Sequence, residues 1–334
     1  MNQSVTIVGA GLAGCVTAWQ LHRRGIPFSL CETHPERAGS LVAAGMLAPI
    51  TGKGLNPSWL IDDFYPDALA FYREIEFFLN AQYWYDYPVN RLFFHEKDRR
   101  KFERKLEQKP EVAKWVDSIV ESVPGTLSSY GAVVWKGSGR LDVGKFVRES
   151  REFFRSLGCY IEREIVPATD QLSLYTTGAA GLIEATPMSL PHRSAKGEIL
   201  KVRIAGLRQD QIVSRGTWIV PSGEQNETFL VGANYEWDDL TNQPTSKGRE
   251  AVLKGLESLI DLPYEVLEHR AGVRPIVRCS QPVIGKISQK NGYMMNGLGS
   301  KGVLYAPRVA NLLLDTALEG APIPLELQVA NALR

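Results

Sequence analysis

The chain has 334 residues, enough for two domains or one large domain with insertions. Its 38 Lys and Arg against 37 Asp and Glu leave a charge near zero, which excludes a general pull toward nucleic acid or an anionic membrane surface but allows a local basic patch. Cys15, Cys31, Cys159 and Cys279 lie far apart without CxxC spacing, no secretory signal precedes the first strand, and no run of about 18 apolar residues occurs, so reduced thiols, a cytoplasmic location and no membrane span are expected.

Residues 4 to 32 read SVTIVGAGLAGCVTAWQLHRRGIPFSLCE. A strand, Val5 to Val8, runs into Gly9, Ala10, Gly11, Leu12, Ala13 and Gly14; a helical pattern continues through Ala18 and Leu21 to Gly25; a second strand, Pro27 to Cys31, ends on Glu32. All parts of a dinucleotide fingerprint are present in order. Gly9 permits the tight turn, Gly11 lets backbone approach a pyrophosphate, and Gly14 lets helix and strand pack closely. The helix start presents unpaired N–H groups to phosphate. Glu32 is placed to accept hydrogen bonds from ribose hydroxyls, and its charge repels a 2'-phosphate, which disfavours NADP. The fingerprint alone leaves NAD and FAD open. The next stretch, ERAGSLVAAGMLAPITGKG, is rich in small residues that leave room for a flat ring.

Residues 61 to 81 have the apolar spacing of an amphipathic helix beginning near Pro66, with most of its aromatics in the core. His95 to Lys109 is a mixed-charge stretch with a basic excess, read as a solvated helix face, with nucleic-acid contact as the alternative. A helix over Leu141 to Leu157 closes at Gly158 and leads to a strand, CYIEREIV; LSLYTTGAAG is a buried strand entering a glycine turn. A β-rich part follows in KGEILKVRI, TWIVPSG and TFLVGANYEW, and then a helix from about Lys247 to Ile260.

The stretch HRAGVRPIVRCSQPVIG, residues 269 to 285, carries Pro and Gly that argue against a helix. As a strand it puts Arg270, Gly272, Arg274, Ile276 and Arg278 on one face, which is either a solvated basic edge or a wall of an anion site. Near the C-terminal end, Gly297, Gly299 and Gly302 lie between a strand and a helix over Val303 to Leu318. That helix start is a second candidate anion site, suited to a reduced flavin, and Lys301 adds a full charge. His22, His34, His95, His192 and His269 form no metal or triad spacing, and no metal site is expected.

Six stretches in order, VGAGLAG with Glu32, GSLVAAGMLAP, TTGAAG, KGEILKVR, AGVRP with PVIG, and NGLGSKGVLYAP, make the chain resemble FAD-dependent oxidoreductases of the D-amino-acid oxidase and glycine oxidase type. Within that group it is similar to the oxidase half of the bifunctional enzyme that modifies the tRNA wobble uridine. The resemblance implies an α/β fold: a glutathione-reductase-like (Rossmann) FAD-binding domain of residues 1–82, 140–190 and 270–334, with an inserted, mostly antiparallel α+β substrate domain of residues 83–139 and 191–269. It implies noncovalent FAD, since Cys279 is not where relatives with covalent flavin attach it. Beside the glycine turn and Glu32, the implied FAD contacts are Ser40, Ala44, Gly45, Met46 and Leu47; Val166, in a strand covering the adenine; Thr177 and Gly178; and Gly297, Gly299, Ser300, Lys301, Gly302 and Val303. It implies that Arg274 holds a substrate carboxylate, and Tyr235 and Trp237 are placed near the pocket. The implied reaction is oxidation of a C–N bond in a small amine or amino acid, with O2 or another electron acceptor. The alternatives are a tRNA-modifying oxidase using the same arginine and a non-catalytic FAD-binding protein.

Overall fold

The computed structural model describes residues 4–52, 54–224, 227–287 and 291–333. Its first organising layer is a six-stranded sheet in the order Tyr160–Ile161, Phe28–Cys31, Val5–Val8, Ser173–Tyr175, Gly292–Asn296 and Val283–Lys286. The first five strands are mutually parallel and the last is antiparallel. Parallel neighbours need crossovers, and helices Leu12–Arg23 and Val143–Ser156 supply two of them. Strands covered on both faces are buried without alternation, as VTIV is, with Val5, Thr6 and Ile7 all buried. Trp19 on the first helix is buried against Phe153 and Phe154 of the second, with ring centres 4.8 and 5.0 Å away. The last long helix, Gly302–Glu319, packs on both Leu12–Arg23 and Ile61–Leu79.

The second layer is an eight-stranded sheet in the order Tyr264–Arg274, Ala195–Ile204, Thr228–Gly232, Thr217–Pro221, Ile212–Arg215, Val89–Leu92, Ala132–Trp135 and Val116–Val120. It is antiparallel except between Ile212–Arg215 and Val89–Leu92. On one face Leu200, Val202, Phe229 and Val231 bury themselves against Val252 and Leu256 of helix Ser246–Glu257. The other face meets the loop after Glu32: a Cβ added at Gly272 would lie 3.3 Å from Val42 and 3.4 Å from Gly39. A small sheet of Met46–Leu47, Gly139–Leu141 and Trp84–Tyr85 completes the join. The fold is mixed α/β. No helix among the described residues is long and apolar enough to cross a membrane, and the four cysteines are free.

Three elements differ from the sequence expectation. The helix expected from about Pro66 begins at Ile61 and carries that proline inside it. The bond lost is the one to the Asp62 carbonyl, and both residues are exposed, which leaves that carbonyl open to solvent. The strand expected over CYIEREIV is only Tyr160–Ile161, because Glu162, Arg163 and Glu164 bring charges that a sheet covered on both faces cannot pair. The arginine strand stops at Arg274. Pro275 has no N–H to continue the ladder and its carbonyl accepts from Gly299 N at 2.9 Å, so Ile276 and Arg278 leave the face that Arg270 and Arg274 share.

Candidate active site

The first glycine turn is shaped by contacts that tolerate no side chain. Gly9 has φ +100°, and a Cβ on Gly14 would lie 1.8 Å from the Gly9 carbonyl oxygen. Thr176 Oγ1 donates to that same oxygen at 2.8 Å, which ties the turn to the end of strand Ser173–Tyr175. At the helix start Leu12 N donates to Ser40 Oγ at 3.0 Å. Glu32 folds back onto the turn: its Oε2 accepts from Ala10 N at 2.9 Å and its Oε1 from Thr33 N and His34 N at 3.0 and 3.2 Å.

Arg151, which the sequence reading did not single out, buttresses this corner. Its buried guanidinium donates to the carbonyls of Ala10 and Pro35, both at 2.9 Å, and lies 4.0 Å from Glu32. In sequence it is one of several charges on an amphipathic helix, and only the fold reveals which one turns inward.

The small-residue run from Ala44 to Leu47 is held flat against strand Gly139–Leu141. Leu141 N donates to the Gly45 carbonyl at 3.0 Å and Arg140 Nε to the Ala44 carbonyl at 3.2 Å, while a Cβ on Gly45 would lie 1.8 Å from the Leu141 oxygen. The C-terminal glycine loop closes the same region. Asn296 Nδ2 donates to the Gly178 carbonyl at 2.9 Å, and a Cβ on Gly302 would lie 3.2 Å from Leu12, so the two helix starts are neighbours. A Cβ on Gly178, which follows Thr177, would meet no heavy atom within 4 Å. Lys301 caps the last helix ahead of Val303, and its ammonium has no hydrogen-bond or ion-pair partner among the described residues; burial draws its pKa down. Ser300 is exposed at the loop tip. Two sets of backbone donors, a carboxylate and a half-buried cation that wants an anion fit the phosphates, ribose and pyrimidine end of FAD. Val166 stands apart, 78% exposed in the loop after Ile161.

Arg274 lies at the foot of the eight-stranded sheet, one residue before the carbonyl that binds Gly299. Its Nη1 donates to the carbonyls of Lys196 and Asn234, and its Nη2 to Asn234, all at 3.3 Å. The Tyr235 ring centre is 4.2 Å from Cζ. Gly197 lies against the guanidinium, for a Cβ there would be 2.1 Å from Nη2, 2.4 Å from Cζ and 2.6 Å from Nη1. The group is thus sandwiched between a glycine and an aromatic ring. Asn234 occupies the fork between Nη1 and Nη2, and Lys196 takes the outer side of Nη1. What is left is the edge formed by Nε–H and the outer Nη2–H, one of the paired donor edges that match a carboxylate. No carboxylate among the described residues lies within ion-pair distance, and burial draws the pKa of Arg274 down. Arg270, by contrast, is an exposed residue chelated by its neighbour Glu268. Tyr235 and Trp237 stack at 5.8 Å and are 49% and 59% exposed, so Tyr235 touches the arginine while Trp237 sits farther out.

The family model described as FAD dependent oxidoreductase matches residues 4–316. A glycine oxidase of Pseudomonas aeruginosa is 24% identical over 97% of this chain and 97% of its own length. The bifunctional tRNA 5-methylaminomethyl-2-thiouridine biosynthesis protein of Marinobacter nauticus is 23% identical over 93% of this chain, which spans only 55% of that longer protein. Among solved structures, glycine oxidase from Geobacillus kaustophilus superposes with a TM-score of 0.80 at 17% identity, covering 98% of each chain.

Proposed function

The chain belongs to the FAD-dependent oxidoreductase family, and from that premise we propose that it oxidises a C–N bond of a small amine or amino acid whose carboxylate is held by Arg274. The observation that carries this reading is the seat of Arg274: a charged group sealed on both faces, with one donor edge left open and no acid among the described residues to fill it. We read the six-stranded sheet and its glycine turns as a glutathione-reductase-like FAD-binding domain of residues 1–82, 140–190 and 270–334. Residues 83–139 and 191–269 form the substrate domain in this reading.

When bound, FAD supplies the hydride acceptor, and the rest is positioning. Gly9, Gly11, Leu12, Ala13, Gly14 and Ser40 would hold the pyrophosphate, Glu32 the ribose, Ala44 to Leu47 the ring side, Thr177 and Gly178 the neighbouring edge, and Gly297 to Val303 the pyrimidine end. Arg274 binds the substrate carboxylate through its Nε–Nη2 edge and so orients the carbon next to nitrogen. The Tyr235 ring shields that ion pair from water, which strengthens it. No side chain is assigned as a general base. The substrate amine enters the step neutral, and the imine product hydrolyses in water.

The tRNA-nucleoside reading stays secondary. The mixed-charge stretch His95 to Lys109, read as a solvated helix face with nucleic-acid contact only as the alternative, contains helix Glu96–Gln108, in which Arg99 pairs with Glu103 and Glu121, and Arg100 with Glu96. The test of the main reading is anaerobic bleaching of the flavin by glycine, sarcosine, D-alanine and carboxymethylaminomethyl nucleosides. Bleaching by the first three supports it; bleaching by the nucleosides alone transfers the assignment to the second reading.

A further inference from the structure

Next to Gly197 in the strand Ala195–Ile204, and so on its opposite face, Lys196 is 0% exposed. Its ammonium pairs with Asp239 and donates to the Gln243 carbonyl at 3.0 Å. Its backbone forms a two-bond bridge with Glu236, at 2.8 and 3.0 Å, and its carbonyl accepts from Arg274. Two residues along, the buried Glu198 accepts from Thr245 N and Thr245 Oγ1, both at 2.8 Å, while its own N–H donates to Asn234 Oδ1 at 2.7 Å.

Apart from Arg274, all these partners lie on one segment, Asn234 to Thr245. It supplies the Asn234 carbonyl that Arg274 donates to and the Tyr235 ring that covers it. None of its residues is buried. A segment with no apolar anchor is not held by packing, so its position depends on polar ties. The strongest is an ammonium withdrawn from water, a costly arrangement unless the group is paired. The hydrogen bond from Lys196 holds the Asp239 carboxyl well below the usual carboxylate range, so that carboxylate stays charged throughout neutral pH.

We propose that Lys196 is a positioning residue of the substrate site: by fixing the segment 234–243 from behind, its ammonium sets how closely Tyr235 lies on Arg274, and thereby how tightly carboxylate substrates bind. The proposal rests on Arg274 as the carboxylate-binding residue. Lysine 196 touches neither substrate nor flavin in this scheme. Its loss releases a wall rather than a reactive group.

The test uses flavin-loaded wild type, Lys196→Met, Tyr235→Ala, the double variant and Arg274→Ala. The probe is whichever of glycine, sarcosine and D-alanine bleaches the wild-type flavin fastest. Methionine removes the buried charge and leaves Asp239, which is 39% exposed, to solvent, so the fold survives. Lys196→Met is expected to raise KM by roughly tenfold or more, the scale of a misplaced positioning group, with kcat within about twofold. In the Tyr235→Ala background it is expected to add nothing, because the ring it positions is gone. A KM unchanged by Lys196→Met, or a rise that multiplies in the double variant as a general loss of stability would, overturns the proposal. If Arg274→Ala raises KM while Lys196→Met does not, only the lysine assignment fails. If Arg274→Ala leaves KM unchanged, or none of the three probes bleaches the flavin, the underlying reading fails and the proposal with it. Should Lys196→Met not retain flavin, Lys196→Gln removes the same buried charge with a polar side chain in its place and is judged by the same outcomes.

Discussion

Gly197→Ala adds one carbon at the most crowded point of the site. The new Cβ would stand 2.1 Å from Nη2 of Arg274 and 2.6 Å from Nη1, where ordinary contact begins at 3.4 Å. The strand cannot yield, since Gly197 is in register with Gly272 and its neighbour Ile199 with Gly232 on the other side. The guanidinium is the end of a flexible side chain and moves instead, by about 1.3 Å, which is the shift from 2.1 to 3.4 Å. Its hydrogen bonds to Lys196 and Asn234 start at 3.3 Å and do not survive such a shift. A hydrogen bond to a charged group contributes about 1.5–3 kcal/mol, so losing one well-aligned carboxylate contact raises KM roughly ten- to hundredfold. Flavin content is expected to be unchanged, because the atoms that meet the new carbon belong to Arg274. The assay is steady-state kinetics with the best carboxylate substrate, paired with the flavin-to-protein absorbance ratio. A KM within twofold of wild type would refute the assignment of Arg274 to its seat and to the carboxylate.

Gly14→Ala forces a carbon to within 1.8 Å of the Gly9 oxygen, so the turn opens and the protein is expected to purify without yellow colour; full flavin occupancy would contradict the role of the turn. Arg151→Met removes the buried donor to Ala10 and Pro35 and is expected to weaken FAD binding by about tenfold, read by flavin fluorescence on titration of the apoprotein. The Asp239 carboxyl is depressed by its bond from Lys196, so its stabilising contribution is complete above the ordinary Asp pKa near 3.9 and is lost as pH falls through the lower folded value. Urea unfolding of wild type and Asp239→Asn between about pH 3 and 6 is expected to show that acid-side loss in the wild type and a smaller one in the variant.

The legible parts of the molecule are those whose meaning is local. The first turn, its helix and Glu32 fit within 32 consecutive residues, and each step is set by neighbours in the chain. The last glycine loop is readable for the same reason. Period-two alternation correctly puts Arg270 and Arg274 on one face, yet it runs on to Arg278 because nothing local except Pro275 marks the strand's end. What separates the two arginines is long-range: Glu268 beside one, and Gly197, Asn234 and Tyr235 around the other. Those partners depend on strand register, which KGEILKVR and GANYEW do not reveal separately. Arg151 escaped notice likewise, since Ala10 is 141 positions away. The segment after Ile161 shows the converse: an apolar pair, Ile165 and Val166, resembles a strand until the charges before it are weighed against a sheet covered on both faces.

In the proposed reaction Arg274 orients a carboxylate for oxidation at the adjacent C–N bond. Anaerobic bleaching rates of wild type and Arg274→Ala, each with sarcosine and with an equally sized amine that lacks the carboxylate, test it most directly. The wild type is expected to prefer sarcosine and Arg274→Ala to abolish the preference, at a cost of about 2–5 kcal/mol on sarcosine alone. An undiminished preference in Arg274→Ala would contradict that role.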